Sequence, residues 1–364
     1  MKDRAYPLQS LTDGNWFKLI CGASYQHLPA IRSLALTYTL AGADCIDVAA
    51  DFAVISAARE GVAVAAKLLA RSDRERPLEH HKPILMVSLN DDEDPHFRKA
   101  EFDSSRCPPD CPRPCETICP AHAIAFEVID SLCYGCGRCL PVCPENLIAT
   151  RSYVSTPQTI IPWVNEMKIE AIEIHTQSGH FQQFARLWET IRPVANKLQV
   201  LAISCPDAPE VVQYLRSLYN LIDPLPCPLI WQTDGRPMSG DIGAGTTHAS
   251  VKFAKKIIGA NLPGYVQLAG GTNNYTIDKL MSAGMLINSH TDRNSNDFIH
   301  KKVSGVAYGS YARSLLLPIL EQLETASHAA TKLENNPQLL QQATSKARSL
   351  VTQIKTNSLS HISG

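Results

Sequence analysis

Eight of the chain's twelve cysteines lie between Cys107 and Cys143, in two groups of four. The second group reads Cys133-Tyr-Gly-Cys136-Gly-Arg-Cys139-Leu-Pro-Val-Cys143-Pro144. Three thiols fall on one tight loop, the fourth follows after a turn, and the proline keeps the chain from folding back over them. The first group, Cys107, Cys111, Cys115 and Cys119-Pro120, has wider gaps. Its four-residue spacing suits one face of a helix, but Pro108, Pro109, Pro112 and Pro114 interrupt the segment and forbid a regular one. The expectation is an irregular loop wrapped around a metal. A disulfide framework suits a short secreted chain, and this chain is long with its thiols in metal-ligand spacing.

The second group, C-x2-C-x2-C-x3-C-P, resembles the run with which bacterial ferredoxins hold cubane iron–sulfur clusters. Cys119-Pro-Ala-His-Ala-Ile also repeats loosely as Cys143-Pro-Glu-Asn-Leu-Ile. This duplication is similar to that of two-cluster ferredoxins, in which the fourth cysteine of each run ligates the other cluster. The resemblance implies two 4Fe–4S clusters. One takes Cys133, Cys136, Cys139 and Cys119; the other takes Cys107, Cys111, Cys115 and Cys143. The wider gaps leave a three-iron or distorted second site open. Two structural zinc sites of four thiolates each are the competing reading.

Composition narrows the rest. The chain has 364 residues, 45% of them hydrophobic, and a formal net charge of −1. That allows a sizeable core, and no basic tract points to nucleic acid. Apolar stretches are broken by Arg32, Asp44, Asp47, Asp51 and Glu60, so no transmembrane segment is expected. The opening Met-Lys-Asp-Arg-Ala-Tyr has no apolar export signal. With reduced thiolates, this makes a cytoplasmic location the expectation.

Outside the cysteines, short apolar β-branched runs alternate with helical periodicity. Strands are expected at Phe17–Ala23, Cys45–Ala49, Pro83–Leu89, Ala171–Thr176, Val200–Cys205, Leu229–Thr233, Tyr265–Ala269 and Val303–Tyr308. Helices include His27–Ala41, Phe52–Leu69, Gly179–Leu198 and Pro209–Leu221. Eight strands each followed by a helix predict an α/β fold, a TIM-like (β/α)8 barrel. An inserted two-cluster ferredoxin-like module and a helical C-terminal tail complete it. The expected division is 1–93 and 154–322 for the barrel, 94–153 for the insert and 323–364 for the tail. An open doubly wound sheet is the alternative, but Cys21-Gly-Ala-Ser24 is not a G-x-G-x-x-G fingerprint.

Alternation along the strands turns Lys18, Asp47, Ser88, Asn90, Glu173, His175, Gln232, Asp234 and Gln267 into the lumen. They either bind a ligand or pair among themselves, Lys18 with Asp47 or Glu173. Two glycine-bearing loops follow the last two strands: Gly270-Gly271-Thr272-Asn273 and Gly309-Ser310, with Arg313 beyond. Loops in these positions commonly bind phosphate in such barrels, which makes FMN the candidate ligand. The alternative is that the glycines only turn the chain. The glycine-rich loop 233–247 reads as a lid or a surface excursion. Cys21, Cys45, Cys205 and Cys227 read as small core residues.

Three segments together resemble the cyanobacterial light-dependent period family (LdpA). They are Asn15-Trp-Phe-Lys-Leu-Ile-Cys-Gly-Ala-Ser24, the module from Cys107 to Pro144, and Leu268-Ala-Gly-Gly-Thr-Asn273. The resemblance implies an iron–sulfur sensor that couples cellular redox state to circadian period. Its implied partners are clock proteins and redox carriers, ferredoxin or the quinone pool. The alternative from the residues is an FMN-dependent iron–sulfur oxidoreductase working at the barrel mouth.

Overall fold

In the computed structural model the described residues are 6–21, 28–72, 82–92, 98–119, 122–130, 132–133, 137–152, 157–235, 243, 245–287, 302–325 and 332–355. Eight parallel strands close into a barrel. In chain order they are β1 (Trp16–Ile20), β2 (Cys45–Ala49), β3 (Ile84–Asn90), β8 (Ala171–His175), β9 (Val200–Pro206), β10 (Leu229–Asp234), β11 (Tyr265–Ala269) and β12 (Val303–Tyr308). Around the barrel the order is β1-β12-β11-β10-β9-β8-β3-β2. The predicted strands are therefore present and form the TIM-type barrel. β1 is described only to Cys21; its expected end at Ala23 lies outside the described residues.

The helices that follow the strands are α2 (Leu28–Ala41), α3 (Phe52–Ser72), α5 (Pro157–Glu166), α6 (Phe181–Ile191), α7 (Val211–Ile222), α8 (Thr247–Gly259), α9 (Thr276–Ser282) and α10 (Ser310–Thr325). Where one helix was expected over Gly179–Leu198, α6 ends at Ile191 and a 3-10 helix runs over Arg192–Lys197. Pro193 explains the change, because it has no N–H for the α-helical ladder. Pro318 lies within α10 without ending it.

Strand alternation divides the core in two. Outward residues such as Phe17, Leu19, Ile172, Ile174 and Leu201 pack under the helices. Inward residues Trp16, Cys45, Ile84, Met86, Ala171, Val200, Ala202 and Ile230 fill the lower lumen. Helix α1 (Tyr6–Asp13), which the sequence reading missed, closes that end with Leu8 and Leu11. Helices α2 and α3 approach closely at Gly61, where an added Cβ would lie 2.2 Å from the Arg32 carbonyl oxygen.

The C-terminal tail forms α11 (Pro337–Lys355), whose Leu339, Ala343, Ala347, Leu350, Val351 and Ile354 join the outer core. Two ion-pair groups attach it. Arg32 bonds Glu334 and lies 3.0 Å from Glu60, while Lys332 reaches Glu60 at 2.7 Å. Lys355 bonds both oxygens of buried Asp44, which also accepts the Phe17 N–H.

Candidate metal centre and barrel mouth

The insert leaves the barrel after β3, on the face where the parallel strands end. Strands β4 (Arg98–Glu101) and β7 (Ala149–Ser152) pair antiparallel and bring its two ends together. Between them lie α4 (Pro114–Ile118) and a small hairpin of β5 (Ile124–Ala125) and β6 (Glu127–Val128). Pro114 opens α4, where a missing N–H costs nothing.

Cys107, Cys111, Cys115 and Cys143 line one small cleft, together with Phe102, Pro114, Pro144 and Ile148. Three of these cysteines belong to the first run and the fourth to the second. Cys133 and Cys139 are buried in the insert's own small core, and Cys119 packs against it. Cys136 lies outside the described residues. Among the described residues, no three Cys, His, Asp or Glu side chains converge on a single-ion position.

The loose sequence duplication has a backbone counterpart. After Cys119 the Ala123 N–H donates to its Sγ at 3.2 Å; after Cys143 the Leu147 N–H does the same at 3.4 Å. Each turn closes on the cysteine carbonyl, from the N–H of His122 in one and of Asn146 in the other. His122 and Asn146 have φ of 49° and 52°. This is the left-handed region, in which His and Asn are enriched over most residues. Both fourth cysteines therefore sit on the same turn, with an amide directed at the sulfur. The sequence repeat signalled the turn; the sulfur-directed amides were not anticipated.

The insert is seated on the barrel by Lys99, which sequence reasoning also missed. It is 1% exposed, and its ammonium lies 3.1 Å from Asp51, just beyond β2. It also donates to the Asp130 carbonyl within the insert. Asp51 in turn accepts the N–H groups of Ala53 and Val54 and so caps α3.

The lumen side chains fall as strand parity predicts, and they form a connected network. Lys18 contacts Asp47 at 3.1 Å, Gln232 at 3.0 Å, and Glu173. Ser88 donates to Asp47, Ser204 to Asp234, and Gln232 to Glu173 at 2.7 Å. His175 stands above, with Nε2 3.3 Å from Glu173 Oε1 and 37% of its side chain exposed. Burial raises the Asp234 carboxyl above the ordinary aspartate range, partly offset by His175, Ser204, Lys18 and Gln232.

The glycine loops lie on the same face, and their polar side chains bond within the chain. Thr272 donates to the Ala307 carbonyl, and Asn273 bonds Gly243 and Thr246. Gly270 and Gly271 have positive φ, and a Cβ at Gly271 would lie 2.7 Å from the Thr246 carbonyl oxygen. These glycines turn the chain and let it approach α8. Arg313 donates to the Ile20 carbonyl and to Ser310, beside Gly309. The side chains of Thr272 and Asn273 are thus engaged within the chain. Most of loop 233–247 lies outside the described residues.

Cys21, Cys45 and Cys205 are buried among apolar neighbours, and burial raises their thiols above the ordinary range, Cys21 and Cys205 to about 12. Cys227 is partly buried, with its thiol raised to about 11. They are core residues.

The fold and site define a class: a TIM-type barrel that carries a cysteine-lined insert over the C-terminal ends of its strands. Residues 107–154 match the LdpA Fe-S cluster-binding domain, and residues 163–353 match the Light dependent period A C-terminal domain. The chain is 48% identical over 352 residues to Light dependent period A of Synechococcus elongatus, covering 96% of this chain and 94% of that protein. It belongs to the light-dependent period A family. Among solved structures, Mycobacterium tuberculosis tryptophan synthase aligns over 96% of both chains with a TM-score of 0.42 and 11% identity. The carboxyl transferase domain of Rhizobium etli pyruvate carboxylase aligns over 99% of this chain and 52% of that one, with a TM-score of 0.40 and 8% identity.

Proposed function

We propose that this chain is an iron–sulfur redox protein that holds two 4Fe–4S clusters and acts in light-dependent setting of circadian period. The observation that carries the reading is the cysteine-lined cleft. Cys107, Cys111 and Cys115 border it together with Cys143 from the other run. That grouping is the one expected if the two runs exchange fourth ligands as in two-cluster ferredoxins. The donor set fits the group: sulfur ligands partly removed from water, two of them receiving backbone N–H bonds. Such bonds to sulfur are one of the protein's means of tuning a cluster's potential. Cys133, Cys136, Cys139 and Cys119 would hold the second cluster. When bound, the clusters supply one-electron acceptance and donation.

The protein's own residues hold the sulfurs and fix where the insert sits. The Lys99–Asp51 pair places the insert against the barrel, so the environment of the cysteines and the barrel face are mechanically joined. Family membership supports clock proteins as partners and ferredoxin or the quinone pool as the electron source. A sensor of this kind needs partner affinity that differs between redox states. Pull-down of clock proteins with anaerobically reduced and with oxidised holoprotein tests this. A difference in retained partner supports sensing; equal retention in both states refutes it.

A further inference from the structure

Two residues of the insert adopt backbone conformations that glycine would take at less cost. Arg113 has φ of 50° and ψ of 54°, and Phe126 has φ of 63°. This is the left-handed region, uncommon outside glycine and an outlier for a bulky side chain. Arg113 is strained on a second count, because Pro114 drives the residue before it toward extended backbone. Such strain persists only where the surroundings over-determine it, and it collects at functional sites.

The two residues are held by each other and by one carboxylate. The Arg113 guanidinium lies over the Phe126 ring, 3.7 Å from its centroid. Glu116 Oε1 accepts from Arg113 Nη1 and from the Phe126 N–H, each at 2.9 Å. Phe126 is 68% exposed, so burial of its ring does not account for its place. The ring serves instead as a platform for the guanidinium, since a cation is attracted to an aromatic face.

The platform stands at the sulfur cleft. Arg113 and Glu116 both line it, with Cys107, Cys111, Cys115 and Cys143. Arg113 is the middle residue of Cys111-Pro-Arg-Pro-Cys115, a gap one residue wider than those between Cys133, Cys136 and Cys139. The wider gap thus brings a clamped cation to the cleft.

We propose that Arg113 sets the reduction potential of the cluster held by Cys107, Cys111, Cys115 and Cys143, its clamped guanidinium favouring the reduced state. The inference rests on the iron–sulfur reading and goes beyond it. Net charge is one determinant of a cluster's potential. Reduction adds one electron to a group already ligated by thiolates, and a neighbouring cation favours that product. The Glu116 carboxylate acts in the opposite sense while it holds the guanidinium in place, so the two effects separate on substitution.

The test is a titration of anaerobic holoprotein with dithionite as the electron donor, followed by electron paramagnetic resonance, in wild type, Arg113→Gln and Glu116→Gln. The signal missing from Cys143→Ser identifies the cluster concerned. Arg113→Gln is expected to lower that cluster's midpoint potential and leave the other's in place. The shift should be at least about threefold in the reduction equilibrium, the effect of one charge across a few ångströms of water. For a one-electron couple that is about 30 mV. Glu116→Gln, whose amide oxygen can still accept both N–H bonds, should raise the midpoint. A side chain that only shaped the loop would not give shifts of opposite sign. An unmoved midpoint in Arg113→Gln at full iron content, or shifts of the same sign in both variants, overturns the proposal. Should Arg113→Gln lose iron, Glu116→Gln decides: a raised midpoint supports the proposal, and an unmoved or lowered one overturns it. Wild type without two clusters would overturn the iron–sulfur reading and this inference with it. Two clusters with unmoved midpoints would overturn the inference alone.

Discussion

At the scale of single residues, Lys18 organises the barrel interior. It is fully buried between Asp47 and Glu173, which are 2% and 0% exposed. Removing one partner of a buried pair leaves uncompensated charge, which costs about 3–5 kcal/mol. Lys18→Met is therefore expected to lower stability by that amount, read by chemical denaturation. A double variant Lys18→Met, Glu173→Gln should recover part of the loss. An additive double variant would show that the two residues do not act as a pair. The inward direction of Lys18, Asp47, Glu173 and Gln232 was legible from strand alternation, since period two leaves only two faces. Which partners they choose was not legible, because that depends on the stagger of neighbouring strands. Cys107 to Cys143 were legible for a different reason: sulfur ligands for one cluster must be close in sequence where the loop is short. The left-handed His122 and Asn146 could also have been read, since both stand three residues after a Cys-Pro cysteine.

At the scale of elements, two attachments are open to test. The first joins insert to barrel. Lys99→Met would leave Asp51 buried without its cation. We expect a loss of about 3 kcal/mol and faster proteolysis within the insert. Asp51→Asn, which can still cap α3, should suppress much of that loss in the double variant. Proteolysis unchanged by Lys99→Met would show that the insert is seated by other contacts. The second attachment is the C-terminal helix. The Lys332 ammonium, with Arg32, holds the Glu60 carboxyl below the usual range, and Arg32 does the same for Glu334. A depressed folded pKa gives stability that is full above the unfolded value and is lost as pH falls through the folded one. Amide exchange in α11 should thus accelerate selectively as pH drops below about 4, the ordinary glutamate value. Protection in α11 that follows the barrel strands through this range would contradict the assignment. The strands and long helices were legible because their periodicity is sustained. Helix α1 was not legible because eight residues show too little period, and the break at Arg192 turns on the single residue Pro193, which interrupts the ladder without altering the apolar period.

At the scale of the whole molecule, the chain joins a rigid parallel barrel to a cysteine-rich insert on the face where such barrels build their sites. No described helix is long and apolar enough to cross a membrane. The barrel was legible in the sequence as eight strand–helix repeats interrupted once. Lys99 was not, because it is a lone lysine in a short edge strand with no pattern to mark it. The predicted phosphate loops met on the correct face, but Gly271 serves a close approach to Thr246, a contact that sequence cannot show.

The central claim is two cross-ligated clusters, and its most direct test is iron and acid-labile sulfide per chain in anaerobically purified protein. Wild type is compared with Cys143→Ser and Cys133→Ser, with electron paramagnetic resonance of the reduced samples. About eight irons with matching sulfide are expected in wild type and about half in each variant. The two variants should retain different spectra, because each loses a different cluster. Zinc in place of iron, absent sulfide, or the same residual spectrum in both variants would contradict it.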